Sequence, residues 1–168
     1  QPNGVLGTTD DPDHARHRRV LRQAFVPTVI DQLAPAIVAI CDELLDEMLP
    51  LGSGDFVDLF AAPLPALAIA ELLGVARDRR GDFRHWSDLA VAALTGGDLQ
   101  HYAQAKQALE DHVEAGIRER ESQLGDESVD ESVVGIAIPD DVLSRLTVAY
   151  RHGVLSLPEA RYIGYQLL

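Results

Sequence analysis

The chain has 168 residues, 46% of them hydrophobic, enough for one ordinary domain with a buried core and too many for a disordered chain. Its 27 acidic and 14 basic residues give a formal charge of −13, which argues against nucleic-acid binding, because phosphate contacts need an excess of positive charge on the binding face. One cysteine, Cys41, excludes an internal disulfide framework and fits a reducing cytoplasm. No membrane segment is expected: the longest weakly polar stretch, 59–75, carries Pro63, Pro65 and Glu71 and falls short of the roughly 20 apolar residues a spanning helix needs. Residues 1–10, QPNGVLGTTD, read as a loop with neither a signal-peptide pattern nor an initiator Met, an opening expected of a fragment.

Residues 11–27, DPDHARHRRVLRQAFVP, gather Arg16, Arg18, Arg19 and Arg22, four of the fourteen bases, into seven positions. They predict one short cationic helix, with Asp11 as N-cap, Pro12 at the first helical position, Asp13 at the positive end of the dipole and Pro27 as the stop. His14 and Arg18 stand four apart and so share a face, which Leu21 and Phe25 continue. A guanidinium fork beside an imidazole donor suits a carboxylate or a phosphate; the alternative is ordinary solvated charge. His14 and His17 have the spacing of a metal pair but no third ligand nearby.

A long helix follows, with Thr28 and Asp31 at its start and Val29, Leu33, Ile37, Ile40, Leu44 and Met48 as its apolar stripe; Pro35 should kink it or mark where it becomes regular. Residues 52–54 form a turn, and DFVDLF at 55–60 alternates too briefly to assign a strand. PLPALAIAELLGV, 63–75, reads as a buried helix closed by Gly74. Asp78 should cap a helix through Phe83, Trp86, Leu89 and Ala93 that ends at Thr95-Gly96-Gly97. Asp98 should cap the next, which runs from Leu99 to about Glu121 with Tyr102, Ala105, Leu109, Val113 and Ile117 inward. In 122–139 DESV occurs twice in tandem, at 126–129 and 130–133, a composition expected of a surface insertion. Helix returns over 140–150 and, with Ser156 as cap, from Pro158 onward. This last stub is expected to lack a partner for its apolar face and to fray.

Two of these stretches resemble the soluble bacterial cytochromes P450. DPDHARHRRVLRQAFVP is similar to the start of that family's C helix, D-P-P-x-H-x-x-x-R-R-x-x-x-x-x-F-x-P, with His14, Arg18, Arg19, Phe25 and Pro27 on the pattern. The departure is Asp13 after a single Pro12, which shortens the lead-in and leaves the His-to-Arg spacing intact. PLPALAIAELLGV is similar to the E helix, P-x-x-x-I-x-x-L-L-G-V, in the right order and separation. The resemblance implies an all-α chain: one partial domain over 1–168, incomplete at both ends, with helices C to G in 11–121, an acidic insertion in 122–139, and H and the start of I in 140–168. It implies that His14 and Arg18 bond the propionates of haem b, while the iron-ligating cysteine lies outside this chain. It places Leu94 and Thr95 where the F-to-G turn crosses the substrate pocket. Arg16, Arg19 and Arg22 fall on the exposed side of the first helix, where an acidic ferredoxin-type electron donor docks.

The implied parent is a cytoplasmic haem-thiolate monooxygenase, which uses NAD(P)H-derived electrons and dioxygen to hydroxylate a small organic substrate. The supplied chain alone should be inactive, since it has no thiolate-ligand loop, no E-x-x-R and no A-G-x-[DE]-T. Cys41 sits in a helical stripe, VAICDELLDEM, and reads as packing rather than as an iron ligand. No G-x-S-x-G elbow supports a hydrolase, and no Gly-rich phosphate loop is present. The competing class is a free-standing helical interaction module that holds an acidic protein on its basic helix.

Overall fold

A computed structural model of the chain describes residues 9–125 and 130–167, apart from the side chains of Leu94 and Glu131. The described residues form seven α-helices: α1 (Asp13–Arg22), α2 (Pro27–Met48), α3 (Pro63–Leu73), α4 (Arg80–Gly96), α5 (Leu99–Leu124), α6 (Val142–Arg151) and α7 (Leu157–Tyr165). Their only extended pairing is an isolated bridge between Val134 and Ile138. The all-α expectation holds.

The 26-residue α5 is the axle. Ala105, Leu109, Val113 and Ile117 recur every four residues and are all buried, so a single stripe faces one core. α4 packs along one flank of α5, while α6 and α7 pack along another. The α7 crossing is close because Gly164 has no side chain: a Cβ there would sit 2.7 Å from Val113 Cγ1. α1 lies on α6 and sends Leu21 and the following Ala24 into the same core. α2 packs on α3 through Val29, Ile40 and Leu44, the buried members of its predicted stripe.

Three of these elements meet on one buried cation. Arg120 of α5 is 6% exposed, and its Nη2 donates to Asp141 Oδ2 at 2.6 Å and to the Gly74 carbonyl at 3.2 Å. Its Nε donates to Ser144 Oγ at 3.0 Å and its Nη1 to the Gly116 carbonyl at 3.2 Å. Asp141 in turn caps α6, its Oδ1 accepting from the Ser144 amide at 2.8 Å. Gly74 closes α3 at φ 84°, and a Cβ there would overlap the Asp141 carboxyl. The pair therefore pins the end of α3, the middle of the fold and the start of α6 with nearly every donor satisfied, the condition under which a buried ion pair is tolerated.

Several predicted boundaries move, each for a local reason. Pro12 is the N-cap of α1 rather than its first residue, and Asp11 acts one turn in, accepting from the Ala15 amide at 3.1 Å. Pro27 opens α2 after an extended Val26 instead of closing a helix before a Thr28 cap; a short 3-10 turn, Gln23–Phe25, separates the two helices. Pro35 lies inside α2, which runs unbroken past it. α4 starts beyond a 3-10 turn at Arg77–Arg79 with no cap from Asp78, whereas Asp98 and Ser156 cap α5 and α7 as expected. Residues 57–61 make one π-helical turn.

The segment from 122 onward is less loop-like than its composition suggests. α5 continues to Leu124, and Ile138 is buried against Val148; the first DESV, 126–129, lies outside the described residues. The expectation of an uncovered last helix is also corrected. Ile163 is 1% exposed, Arg161 reaches Asp111 at 3.1 Å and Glu114 at 2.9 Å, and the hydroxyls of Tyr102 and Tyr165 meet at 2.6 Å. α5 and α6 supply the cover.

Two outcomes follow. Arg120→Ala, which strands the Asp141 carboxylate in the core, should cost about 3–5 kcal/mol in urea unfolding; a loss under 1 kcal/mol would show that water replaces the guanidinium. Hydrogen exchange on a monomeric sample should find the Ile163 and Gly164 amides protected together with those of 109–117. Exchange there at the rate of an open chain would restore the frayed stub.

Candidate functional site

α1 is amphipathic in charge as well as in hydropathy. Two of its polar side chains turn inward onto the first turn of α7. Arg16 Nη2 donates to Glu159 Oε1 at 2.5 Å and to Asp13 Oδ1 at 2.8 Å, and its Nη1 donates to the Val154 carbonyl at 2.6 Å. His17 is 7% exposed, with Nε2 3.3 Å from the same Glu159 oxygen. The other oxygen, Oε2, completes a capping box, accepting from the Ser156 amide and hydroxyl, each at 2.7 Å. Arg16 foremost, with help from Ser156 and His17, holds the Glu159 carboxyl down at about 2, and the bonds to Glu159 and then to Asp13 push the Arg16 guanidinium above its usual range.

Arg16 is thus tied to Glu159 rather than left free on the outer side of α1, where the sequence places it. Arg19 and Arg22 are exposed, and Arg19 stands on the rim of an apolar groove of about 250 Å³ between α1 and α6, lined by Val20, Val148, Ala149 and Val154. On the remaining flank lie the two strongest sequence candidates. His14 is half-buried with Nδ1 3.8 Å from Asp11 Oδ1, too far for a hydrogen bond, and Arg18 is exposed. Every other arginine in the chain makes an ion pair or a hydrogen bond, but Arg18, Arg19 and Arg22 make none among the described residues. In a chain with twice as many acids as bases, donors left without an acid are the exception.

The other candidates separate from this face. Thr95 lies in the last turn of α4 with its hydroxyl bonded back to the Val91 and Ala92 carbonyls at 2.9 and 3.1 Å; the side chain of Leu94 is outside the described residues. Cys41 is half-buried in the middle of α2. His14 and His17 point to different neighbours, and no group of three His, Cys, Asp or Glu among the described residues could hold a metal ion. His112, which as a lone histidine reads from the sequence as a surface or helix-terminus residue, lies half-buried inside α5 with its ring 6.2 Å from Phe83 and 6.1 Å from Trp86, and burial, then the charge of Arg79, holds it below the usual imidazole range. Sequence reasoning missed Glu159 as the partner of α1. The Ser156-to-Glu159 spacing announces a helix start, but the second oxygen meets a residue 143 positions away, for which no local signal exists.

The carboxyl of Glu159 is depressed in the folded state, so its contribution to stability is present above its unfolded value near 4.5 and is lost as pH falls through about 2. Wild type should exceed Glu159→Gln in urea unfolding by a constant margin above pH 5, and the margin should shrink steadily below pH 4.5. A margin that does not change with acid would mean that the pair contributes shape and not charge.

No family model matches the chain. Among curated relatives, cytochrome P450 107B1 of Saccharopolyspora erythraea is 37% identical over 119 residues, covering 71% of this chain and 29% of that protein. The polyketide biosynthesis cytochrome P450 PksS of Bacillus subtilis is 33% identical over 144 residues, covering 86% and 32%. Among solved structures, ligand-free cytochrome P450 TbtJ1 superposes with a TM-score of 0.78 at 34% identity, over 98% of this chain and 41% of that one. The chain spans about a third of the length of the curated relatives it matches. The helical fold and these matches agree, and the chain belongs to the cytochrome P450 family, of whose fold it carries a helical part.

Proposed function

We propose that this chain is the part of a haem-dependent monooxygenase that receives the haem carboxylates, with His14 and Arg18 as the donors. The observation that carries the reading is that, among the described residues, Arg18 has no ion pair or hydrogen bond and the neighbouring His14 has no short partner. A guanidinium and an imidazole on one helix flank, left without an acid while ten of the thirteen arginines are bonded within the fold, fit a bidentate acid better than they fit solvent. The haem, haem b by this reading, supplies the iron at which dioxygen is activated so that one oxygen atom enters a small organic substrate. What the chain's own residues do is narrower: bind the propionate edge, orient it, and offset its two charges.

Arg19 and Arg22 are assigned to the approach of an acidic, ferredoxin-type donor that relays electrons from NAD(P)H, since both are exposed and without an ion pair among the described residues, and Arg19 borders an apolar groove. Arg16 is excluded from that role by its bond to Glu159. Thr95 and Leu94 are assigned to the substrate side of the α4–α5 turn on resemblance alone. The working place is the cytoplasm; among the described residues no single helix is long and apolar enough to cross a membrane. Cys41 is not assigned to the iron, being enclosed by regular helix in α2.

In a haem-retaining polypeptide that contains this chain, Arg18→Ala should weaken haem by roughly 1.5–3 kcal/mol, the worth of one charge-assisted contact, and His14→Ala by less. Transfer of haem to an apo-globin acceptor measures both; equal retention in wild type and the Arg18 variant would return that residue to plain surface charge. Cys41→Ala should leave the spectrum of the reduced carbon monoxide complex unchanged, and its loss would make Cys41 the ligand.

A further inference from the structure

We propose that Glu159 is the positioning residue of the α1 face: through Arg16 and His17 it fixes the roll of the first half of α1, and with it the direction in which His14 and Arg18 present their donors. What those donors hold rests on the haem reading above; the roll does not.

The apolar anchors of α1 all lie late. Leu21 and Ala24 are buried and Val20 is partly so, whereas residues 13–18 contain no buried apolar side chain, and His17 is their one buried member. Hydrophobic burial therefore fixes the C-terminal half and leaves the N-terminal half to polar contacts. Those contacts are directional. At roughly 100° per residue, Arg16 falls on one flank of His17 while His14 and Arg18 fall together on the other. Tying both Arg16 and His17 to one carboxylate oxygen removes the freedom to turn about the helix axis, which a single bond would leave.

The anchor is itself fixed. Glu159 cannot swing toward α1 or away from it without giving up the two bonds its other oxygen accepts from Ser156, and these form the cap on which α7 starts. α7 is in turn seated on α5 by Ile163, Arg161 and Tyr165. The carboxylate is thus a rigid point carried by the core, and α1 is aimed from it. Asp13, the only other acid on Arg16, belongs to α1 itself and cannot supply this reference.

The test compares two probes, haem and haem dimethyl ester, whose propionates are blocked, in binding to the apo form of a haem-retaining polypeptide that contains this chain, followed by quenching of its tryptophan fluorescence. Wild type should prefer free haem roughly tenfold, one charge-assisted contact. Arg18→Ala should abolish the preference. Glu159→Gln, and Arg16→Gln acting from the other side of the pair, should abolish it too, while leaving the affinity for the ester unchanged and the protection of amides 109–117 intact. If Arg18→Ala removes the preference and both pair variants keep it, the positioning role is overturned and the haem reading stands. If a pair variant weakens haem and ester equally, Glu159 merely stabilises the fold. If wild type shows no preference, or Arg18→Ala retains it, the haem-carboxylate reading falls and takes this inference with it.

Discussion

The buried guanidinium of Arg120 is the constraint from which the rest of the arrangement follows. It holds the carbonyl that ends α3, the carboxylate that starts α6 and a turn of its own helix within one set of hydrogen bonds. Apolar packing around α5 could accept many small slips of α3 or α6, because burial is non-directional. A 94%-buried cation with five donors cannot, since each slip would strand a donor or the Asp141 carboxylate. The left-handed turn at Gly74 belongs to the same device: only a residue without a Cβ lets that carbonyl reach Arg120 past the carboxyl.

From there the geometry is transmitted outward. α6 starts where Asp141 puts it, α7 follows after a short turn closed by Gly153, and the two together form the surface on which α1 lies. The basic helix is therefore the outer layer of this stack, its first half held by polar contacts. Its polar side chains divide accordingly. Arg16 and His17 are spent inward, on the scaffold, while His14 is half-buried and Arg18, Arg19 and Arg22 are exposed. That division lets a chain of charge −13 keep a cationic edge, since Arg18, Arg19 and Arg22 make no ion pair among the described residues.

What could be read from the sequence was what local chemistry determines. The α2 and α5 stripes, the Gly74 and Gly97 stops and the Asp98 and Ser156 caps depend on residues within a turn or two of each other, and all are where periodicity and cap chemistry put them. Prolines were harder. Pro27 could close one helix or open the next, and only the 3-10 turn before it decides. Pro35 is tolerated because the rest of a 22-residue helix is held by packing on α3. The site was half legible: the His14-to-Arg18 spacing puts both on one flank of α1, but Arg16 was read as exposed together with Arg19 and Arg22. The inward turn of Arg16, the burial of His17 and the pairing of Arg120 with Asp141 all depend on residues 21 to 143 positions away, which no window of sequence contains.

The most direct test is a crystal structure of a haem-loaded polypeptide that contains this chain. The prediction is that propionate oxygens lie within about 2.7–3.2 Å of the Arg18 guanidinium and of a His14 ring nitrogen, with Arg16 still on Glu159. Propionates held by other residues, with Arg18 left in solvent, would contradict it.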